Sequence, residues 1–396
     1  MKKFILPVLM LGFLASCDSD DDDITKVDPL RQQVVENYAG LALANYQDAT
    51  TLAKALQTQV NAFVLNPTAQ GLADCKTAWL KSRVPYLQTE AFRFYDGPID
   101  NAADNFEGLI NAWPLDESYI DYVAAKTNAG ADTILNLGVI NDLTGYPAIT
   151  EAVLLSDNEK NGDTDVKVGF HAIEFLLWGQ DLYADSPGKR AYTDYVVGGT
   201  GLNQARRGQY LKIVTDLLVK DLEAVTAQWG TTGAYRVDFT SSANVDNSLM
   251  NILNGMGKLT KGELSGERMT VLLENKDQED EHSCFSDNTK NDFIYDEAGI
   301  YNVYVGKYTR TDGTVFDGPG LDDLVKAKDA AVNTAMIAKL DASVAAINAI
   351  PAPVDQSVTT SPDLFKAAIT ALRTQADQLT VAANAIGVSL TIPESN

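Results

Sequence analysis

Apolar residues recur at helical spacing through most of the first hundred residues, and turn-forming residues divide this pattern into two helices. The first pattern covers residues 34–64 and stops before Pro67. A second helix is expected to begin near Thr68, to bend at Pro85 because proline lacks a backbone N–H, and to end before Pro98.

The middle of the chain is less regular. Residues 96–165 are richer in Asp, Asn and Gly, which predicts loops around short helices. Residues 166–183 are apolar enough to form a third clear helix, and the glycine-rich stretch 198–201 then predicts a loop.

The second half again shows helical patterns, with one exception: the Asp312-Gly313 pair is typical of a tight hairpin turn. Ser361-Pro362 supplies a cap and a first-turn proline for the last helix. The expected elements are helices near 204–229 and 246–274, a small hairpin within 291–317, a long Ala-rich helix over 321–350 and a last helix to about residue 386.

The N-terminus carries an export signal. Lys2 and Lys3 precede an apolar stretch, residues 4–14, that is too short to span a bilayer, and Ala15-Ser16 then precede Cys17. This order matches the lipobox of bacterial lipoproteins, which implies cleavage before Cys17 and lipid on that cysteine; the alternative is an ordinary secretory peptide with an incidental cysteine. The acidic run 18–23 that follows predicts a solvated tether, which is typical either of a surface-exposed lipoprotein or of a plain spacer.

We therefore expect an all-α fold of two helical-bundle halves related by an approximate internal duplication, with a small hairpin in the second half. Each half opens with two long helices, and the second of each pair carries Leu-x-x-Glu, at Leu87 to Glu90 and at Leu264 to Glu267. The expected divisions are a lipoprotein signal peptide at 1–16, a lipidated acidic tether at 17–28, an N-terminal bundle at 29–200 and a C-terminal bundle at 201–396.

Charge and cysteine content narrow the class of protein. The formal net charge is −23, which argues against nucleic acid as a partner. Apart from the signal peptide, no apolar stretch is expected to reach the length of a membrane span. Cys75 and Cys284 either pair in an oxidising compartment or remain buried thiols.

The sharpest local motif lies in the third helix, where His171 and Glu174 are the ionisable residues of an otherwise apolar run. They stand three residues apart on one helix face, and Asp181 would follow on that face two turns on. A buried carboxylate needs a compensating partner, and an imidazole and a carboxylate at this spacing can reach one iron or zinc ion. The alternative is a core histidine that hydrogen-bonds its own helix neighbour.

The other histidine of the chain, His282, follows Glu279 by three residues and so mirrors the first motif. If the two halves fold face to face, ligands from two helices would converge, with Glu90 and Glu267 as further carboxylates. The alternative is that this acidic stretch is a solvated loop.

Other reactive patterns are missing or have a structural interpretation. Glu90 with Arg93, and Glu267 with Arg268, are typical of structural ion pairs. There is no His-Glu-x-x-His motif and no Gly-x-Ser-x-Gly elbow, and two histidines cannot fill a three-histidine zinc site, so catalytic residues stay unknown.

Several spaced blocks resemble imelysin-like proteins. The run from Gly169 to Asp181 is similar to the Gly-x-His-x-x-Glu signature of that family, and residues 79–100, 262–269 and 281–289 resemble its other blocks. The resemblance implies an all-helical envelope protein linked to iron uptake, and for one branch an insulin-cleaving peptidase activity. It implies metal-site residues and further functional-site candidates; the first are His171, Glu174, Glu90, Asp181 and Glu267, and the second are Gly169, Arg93, Arg268, Glu279, His282, Ser286 and Asp287.

The leading hypothesis is a binding protein for iron or an iron-bearing ligand, held at the outer membrane through Cys17 on its periplasmic or cell-surface face, that serves an uptake receptor. Its bound metal would be iron or zinc. The alternatives are a zinc-dependent metallopeptidase of the insulin-cleaving type and a non-catalytic structural surface lipoprotein.

Overall fold

A computed structural model describes residues 28–126, 132–183 and 185–393. The predicted signal peptide, Cys17 and the acidic run lie outside the described residues. The prediction of an all-α fold is confirmed, since the only described strands form two short hairpins. The helices are α1 Pro29–Leu65, α2 Ala69–Gln88, α3 Phe106–Ile110, α4 Gly138–Asn141, α5 Glu151–Asp157, α6 Gly169–Trp178, α7 Gln204–Trp229, α8 Ala234–Phe239, α9 Val245–Lys258, α10 Val271–Asn275, α11 Thr289–Val305, α12 Leu321–Lys328, α13 Ala330–Ala349, α14 Val354–Thr360 and α15 Pro362–Ala385.

Helix α1 forms the axis of the main core. Asp28 accepts a hydrogen bond from the backbone N–H of Leu30 at 3.0 Å, and Pro29 stands in the first turn, so the helix begins with a side-chain cap and a residue preset for helical geometry. The helix packs lengthwise against α2 and α7. It ends at Leu65 with Asn66 as its C-cap, before Pro67 as the sequence predicted.

Helix α2 is shorter than expected. It contains Pro85 and ends at Gln88, and a buried 3-10 turn, Thr89–Phe92, follows it. The Thr89 hydroxyl donates to the carbonyl oxygen of Tyr86 at 2.6 Å, a local bond that competes with helix continuation. This turn places Glu90 in the interior.

Helix α6 is also shorter than expected, because glycines with positive φ bound it at Gly169 (φ 85°) and Gly179 (φ 74°). All its residues are buried. Asp181 therefore lies beyond the helix, and the expectation that it continues the face of His171 and Glu174 was wrong.

The main core includes residues from both sides of residue 200. Helix α7 lies along α1, where Gln57 donates to Asp216 at 2.8 Å and the hydroxyls of Thr50 and Thr226 are 2.9 Å apart. A second, smaller apolar cluster joins residues of α10, α11, α13, α14 and α15. The division at 200/201 and the internal duplication stay predictions.

The expected helix over 246–274 is divided into three parts. Helix α9 continues into a π-helical segment, Leu259–Thr270, which leads into α10. Such widened turns shift the side-chain register relative to an α-helix.

The predicted hairpin in the second half is confirmed. Strands β3 (Lys307–Thr309) and β4 (Val315–Asp317) pair antiparallel around the Asp312-Gly313 turn, while α11 occupies the residues before them. A second hairpin, which was not predicted, pairs β1 (Val123–Lys126) with β2 (Asp132–Leu135). The strands are therefore numbered β1 and β2 in the first half and β3 and β4 in the second.

The expected helix over 321–350 is broken at Asp329. The backbone of this residue is extended (φ −151°, ψ 100°), and its side chain caps α13 by accepting hydrogen bonds from the N–H groups of Ala331 (2.9 Å) and Val332 (3.1 Å).

Helix α13 is long and apolar enough to cross a membrane by length and composition, which the sequence analysis did not expect. Core helices of soluble proteins have the same length and composition, so these two features are weak support for a membrane span. In the structure α13 packs against α15 and α11, and buries Met336, Leu340 and Ile347.

The two cysteines of the described residues do not form a disulfide: Cys75 and Cys284 are both free and buried.

Candidate functional site

The first turn of α6 explains why the motif begins with glycine. Gly169 has a φ of 85°, and a Cβ built there would lie 2.6 Å from the carbonyl oxygen of Ile110. A side chain at this position would therefore be strained and would clash with the backbone. Gly169 lets α6 start against the end of α3, which fixes where His171 and Glu174 stand.

His171 and Glu174 form a hydrogen-bonded pair, which is the structural alternative that their spacing left open beside a shared metal ion. The His171 Nδ1 lies 2.9 Å from Glu174 Oε2. The other Glu174 oxygen, Oε1, accepts hydrogen bonds from the Ser286 N–H at 3.0 Å and from the Ser286 hydroxyl at 2.6 Å. Both carboxylate oxygens of Glu174 are thus occupied by protein groups.

The second nitrogen of His171 is different. His171 Nε2 is buried and has no hydrogen-bond partner among the described residues. Burial, together with the nearby Arg83 cation, holds the pKa of His171 well below its ordinary value, so the ring is neutral. Burial also raises the pKa of Glu174 to about 8, against the opposing effect of its hydrogen bond from Ser286.

His282 lies beside this pair. The ring centroids of His171 and His282 are 4.9 Å apart, so the structure brings the two histidines of the chain together across the two halves. His282 Nδ1 is 3.3 Å from Asp292 Oδ2, which also accepts a hydrogen bond from the Ser283 hydroxyl at 2.5 Å. Burial and the cation of Arg268 lower the pKa of His282 well below its usual range.

Arg83 is a buried cation close to the two histidines. Its Nη1 donates to Asn111 Oδ1 at 2.6 Å, its Nη2 lies 3.4 Å from Asp292 Oδ1, and its guanidinium sits over the ring of Phe170. The side chain is fully buried. Arg83 therefore neutralises Asp292 and keeps positive charge close to both imidazoles.

A second group of charged side chains surrounds Glu90. Arg93 Nη1 donates to Glu90 Oε2 at 2.5 Å, and Arg268 Nη2 donates to the same oxygen at 2.8 Å. Arg268 also reaches Asp296 at 2.5 Å. Although burial alone would raise it, these two arginines hold the pKa of Glu90 at about 2. The predicted pair of Glu90 and Arg93 is thus part of a buried network.

The π-helical segment explains why Arg268 faces inward and Glu267 does not. Arg268 contacts Glu263, five residues earlier, at 3.0 Å, which is the spacing that a π-helix brings into line. Glu267 is exposed. The structure therefore does not bring Glu267 to the histidines, and the π register is the physical reason.

A cavity of about 170 Å³ lies beside these two groups of charged side chains. His282 forms part of its wall together with Arg93 and Arg268. Its remaining lining is mainly acidic and amide, with one indole; these residues are Glu107, Asn111, Ala112, Trp113, Glu159, Asp163 and Glu263.

Glu279 and Asp181 lie apart from the histidine pair. Glu279 is exposed in a 3-10 turn, Gln278–Asp280, that ends before His282, so the expected mirror of the first motif on one helix is absent. Asp181 Oδ1 instead accepts a hydrogen bond from the Tyr183 N–H at 3.0 Å, and burial, with a smaller effect of the charge of Asp287, raises the pKa of Asp181 to about 7. Ser286, in contrast, is a direct partner of Glu174.

The sequence analysis missed Arg83, Asn111, Trp113, Ser283 and Asp292. Arg83 and Asp292 meet across 209 positions, and no local pattern announces such a contact. Trp113 packs edge-on to His282 at 5.5 Å and donates to the Glu281 carbonyl oxygen at 3.0 Å. The one available signal was an arginine next to aromatic and apolar residues in α2.

The described side chains around His171 do not form a ready set of metal ligands. In residues 28–126, 132–183 and 185–393, no three His, Cys, Asp or Glu side chains stand together as a ready ligand set. Because Glu174 is engaged through both oxygens, it is better placed to orient His171 than to bind metal itself. The donors that remain near Glu174 are His171 Nε2, which has no partner among the described residues, and the ring of His282.

The chain is similar to known proteins over most of its length. The Imelysin family model matches residues 42–379. Iron-regulated protein A of Synechococcus elongatus is 27% identical over 292 residues, which cover 71% of this chain and 63% of that protein's length.

Two solved structures have a similar fold. The crystal structure of a Parabacteroides distasonis protein described as an iron-regulated protein A precursor superposes with a TM-score of 0.70 at 20% identity, over 90% of this chain and 95% of that one. An imelysin-like protein from Psychrobacter arcticum superposes with a TM-score of 0.64 at 13% identity, over 92% and 97%. With the family model matching most of the chain, the chain belongs to the imelysin family.

Proposed function

We propose that this imelysin-like protein binds iron, as a partly hydrated cation or in a small iron-bearing ligand, at His171 and His282, with the cavity that His282 lines as its entrance, and that it acts in envelope iron uptake. The observation that carries the proposal is the unpartnered His171 Nε2, buried next to a second neutral imidazole. Neutral imidazole nitrogens are common ligands of transition metals.

The second-layer contacts support a ligand role for His171. In the tautomer that carries its proton on Nδ1, the hydrogen bond to Glu174 leaves the lone pair on Nε2, and Ser286 in turn fixes Glu174. Carboxylate partners of this kind orient metal-binding histidines and raise their basicity. We therefore assign Glu174 and Ser286 as positioning residues.

The charge of the cavity favours a cation. Four carboxyl groups and two guanidinium groups line it, so acid is in excess; the carboxyl groups are Glu107, Glu159, Asp163 and Glu263. Such a wall raises the local concentration of cations. A volume of about 170 Å³ suits a hydrated ion or a small chelate better than a peptide.

The iron proposal also draws on a relative. Iron-regulated protein A of Synechococcus elongatus carries regulation by iron in its name. Uptake is the process that requires an envelope protein to take iron and pass it to a receptor, so we propose it for this chain.

Isothermal titration of the purified protein with ferrous ion under anaerobic conditions, ferric citrate and zinc tests the proposal. We expect iron binding in the wild type and at least a tenfold loss in His171→Gln, which removes the ligand nitrogen but keeps a similar volume. Glu174→Gln should weaken binding by ~10–100-fold, as second-shell changes do. The matched control is Glu274→Gln, an exposed carboxylate, which should bind as the wild type does. Undetectable iron binding, or equal binding in His171→Gln, contradicts the proposal.

A zinc-dependent peptidase is the competing function. It would need an additional base and a third ligand, and Glu174 is engaged through both oxygens. Incubation with insulin chains, with and without a chelator, separates the two functions. Cleavage that a chelator abolishes and that His171→Gln loses would favour the peptidase over the binder.

We further propose that Cys17 anchors the protein by lipid to the outer membrane. The support is the order of residues around Cys17 and the acidic run that follows it. Metabolic labelling with palmitate should mark the wild type and fail to mark Cys17→Ser. Protease treatment of intact cells then tells the cell-surface face from the periplasmic face.

A further inference from the structure

A second cavity, of about 200 Å³, lies at the start of α9 and shares no lining residue with the cavity that His282 lines. Three segments of the chain form its wall: the loop that follows Arg93, helix α8 and the first two turns of α9. Three of the lining side chains are aromatic, and the other six carry a carboxyl, amide or hydroxyl group. Among the described residues, no lysine, arginine or histidine lines it. We refer to it as the aromatic cavity.

Tyr235 is the outer ring of a stack of three aromatic rings. Its ring stacks on Phe239 with the centroids 5.6 Å apart and an interplanar angle of 27°, and Phe239 stacks on Tyr38 at 5.6 Å and 24°. Trp229 packs edge-on against Tyr235 at 5.1 Å. Tyr38 and Phe239 are buried, whereas Tyr235 is half-buried. The part of Tyr235 that its neighbours leave uncovered is therefore a fixed aromatic surface in the aromatic cavity.

The second tyrosine of the aromatic cavity is held by its loop. The Tyr95 hydroxyl lies 2.9 Å from that of Tyr38. Asp100 accepts hydrogen bonds from the N–H groups of Tyr95 at 3.2 Å and of Gly97 at 2.7 Å. Asp96, between these two residues, has an exposed side chain and a φ of 59°, which is uncommon for a residue other than glycine and persists where the surroundings hold it. The loop thus places Tyr95 and Asp96 at the cavity before a ligand arrives.

The start of α9 supplies amide groups. Asn244, Asn247 and Asn251 stand three and four residues apart, so they share one face of the helix. Asn244 Nδ2 donates to Asp238 Oδ1 at 3.0 Å, which ties α9 to α8. The side chains of Asn247, Asn251 and Asp96 make no hydrogen bond with another described residue. These three side chains are therefore free to bind a ligand in the aromatic cavity.

The composition of the wall distinguishes between classes of ligand. An amide group offers both donors and acceptors, which matches hydroxyl groups, since a hydroxyl also donates and accepts. The C–H groups on the face of a sugar ring pack on the electron-rich face of an aromatic ring. An organic ammonium ion would be attracted by the rings and by Asp96 and Asp238, but it has no acceptor for the amide N–H groups. An anion would meet two carboxylates and no cation, so a neutral polyhydroxylated ring suits the wall best.

We propose that the aromatic cavity binds a saccharide, with Tyr235 as its stacking surface. The hydroxyl groups of the sugar bond to Asn247, Asn251 and Asp96. A volume of about 200 Å³ is smaller than the pockets of drug-sized ligands, which measure about 300–1,000 Å³, so one sugar unit fills it and a longer glycan extends into solvent. The site uses neither histidine and stands independently of the proposed iron function.

Saturation-transfer difference NMR of the purified protein with the methyl glycosides of glucose, galactose, mannose, fucose and N-acetylglucosamine tests the proposal. We expect at least one glycoside to bind with a Kd on the order of 1 mM, the affinity that an ordinary ligand efficiency gives for about 13 non-hydrogen atoms. Choline is titrated in parallel. Absence of binding by every glycoside overturns the proposal. Binding of choline without binding of any glycoside overturns it in favour of an ammonium site.

Variants locate the binding. Asn247→Ala plus Asn251→Ala removes two amides that have no hydrogen bond within the described residues, and it should raise the Kd at least ~10-fold. Asn348→Ala, at an exposed asparagine on α13, should bind as the wild type does. Tyr235→Leu keeps an apolar side chain without the aromatic face and should raise the Kd at least ~5-fold.

A Kd that is equal in the wild type and in the double asparagine variant places the sugar elsewhere and overturns the assignment. Tyr235 packs on Phe239, so its variant is first compared with the wild type by circular dichroism. If Tyr235→Leu fails to fold, the double asparagine variant decides alone, because it removes no contact within the stack of aromatic rings.

Discussion

The two carboxyl oxygens of Glu174 have partners in distant parts of the chain. One faces His171 within α6, and the other accepts two hydrogen bonds from Ser286, which is 112 positions away. The carboxylate is therefore held from both sides. Its orientation, and with it that of the imidazole, depends on a loop that the motif does not contain.

Ser286→Ala should weaken iron binding by roughly tenfold, because it removes the shorter of the two hydrogen bonds to Glu174 Oε1 while the backbone N–H bond remains. The expected measurement is the dissociation constant from isothermal titration. Ser156→Ala, at an exposed serine, should leave it unchanged. Equal affinities in the two variants would remove Ser286 from the positioning role.

Gly169→Ala should destabilise the fold, and a matched glycine separates the two causes. At Gly169 a Cβ adds a backbone clash at 2.6 Å to a positive φ, while Gly313 has a similar φ of 84° with nothing within 4 Å. We expect a loss of about 1 kcal/mol for Gly313→Ala and at least ~2 kcal/mol for Gly169→Ala, measured by chemical unfolding. Equal losses would show that the contact with Ile110 is unimportant.

At the scale of elements, the π-helical segment decides which side chains reach the interior. A regular α-helix continued from α9 would give Glu263 and Glu267 one face, because four residues separate them. The widened turn pairs Glu263 with Arg268 instead. The π-helical register therefore places Arg268, and not Glu267, next to Glu90.

This register predicts opposite outcomes for adjacent residues. Arg268→Gln leaves Glu90 and Asp296 buried without their shared cation and should cost roughly 3–5 kcal/mol of unfolding free energy. Glu267→Gln, at an exposed position, should change it by less than about 0.5 kcal/mol. Chemical unfolding of both variants checks the pair, and a large loss in Glu267→Gln would indicate an ordinary α-helical register.

Elements with a continuous apolar stripe and local caps were predictable from the sequence. Helix α7 matches its expected range, and α15 begins at Pro362 as predicted, although the Ser361 side chain makes no capping hydrogen bond. Helix α1 begins at Pro29, five residues before the apolar pattern that predicted it. Local side-chain hydrogen bonds accompany the early end of α2 and the break at Asp329, one from Thr89 and two to Asp329, so periodicity alone could not locate them.

The local part of the candidate site was predictable from spacing alone, whereas the meeting of the two histidines was expected only if the two halves fold face to face. The hydrogen bond between His171 and Glu174 follows from three-residue spacing within one helix. The approach of His282, and the role of Arg83, come from contacts between distant segments. Because such contacts are set by packing of the whole chain, spacing could not distinguish Arg83 from a surface arginine.

For the whole molecule, buried acids set the pH dependence of stability. Burial raises the pKa of Glu297 to about 8, that of Glu117 to about 7 and that of Asp221 to about 6. Between the ordinary carboxyl pKa and these values, the folded state holds more protons than the unfolded state. The stability that these groups contribute is present below about pH 4 and is lost as pH rises through about 6–8.

The Tm of the wild type should therefore fall from pH 5.5 to pH 8.5, as measured by calorimetry without added divalent ions. Glu297→Gln keeps a neutral group beside Gln375, which donates to Glu297 at 3.2 Å in the wild type. The Tm of Glu297→Gln minus the Tm of the wild type should increase as pH rises, and this difference should be largest at pH 8.5. A gap that stays constant with pH would contradict the raised pKa of Glu297.

The packing of α7 on α1 has a consequence for how the chain folds as it is made. Synthesis runs from the N-terminus, so α1 exists long before residues 204–229 that cover one of its sides. Until then the apolar residues on that side of α1 have no native partner. The first half therefore cannot complete its core while the ribosome is still adding residues before α7, and final packing awaits a chain at least 229 residues long.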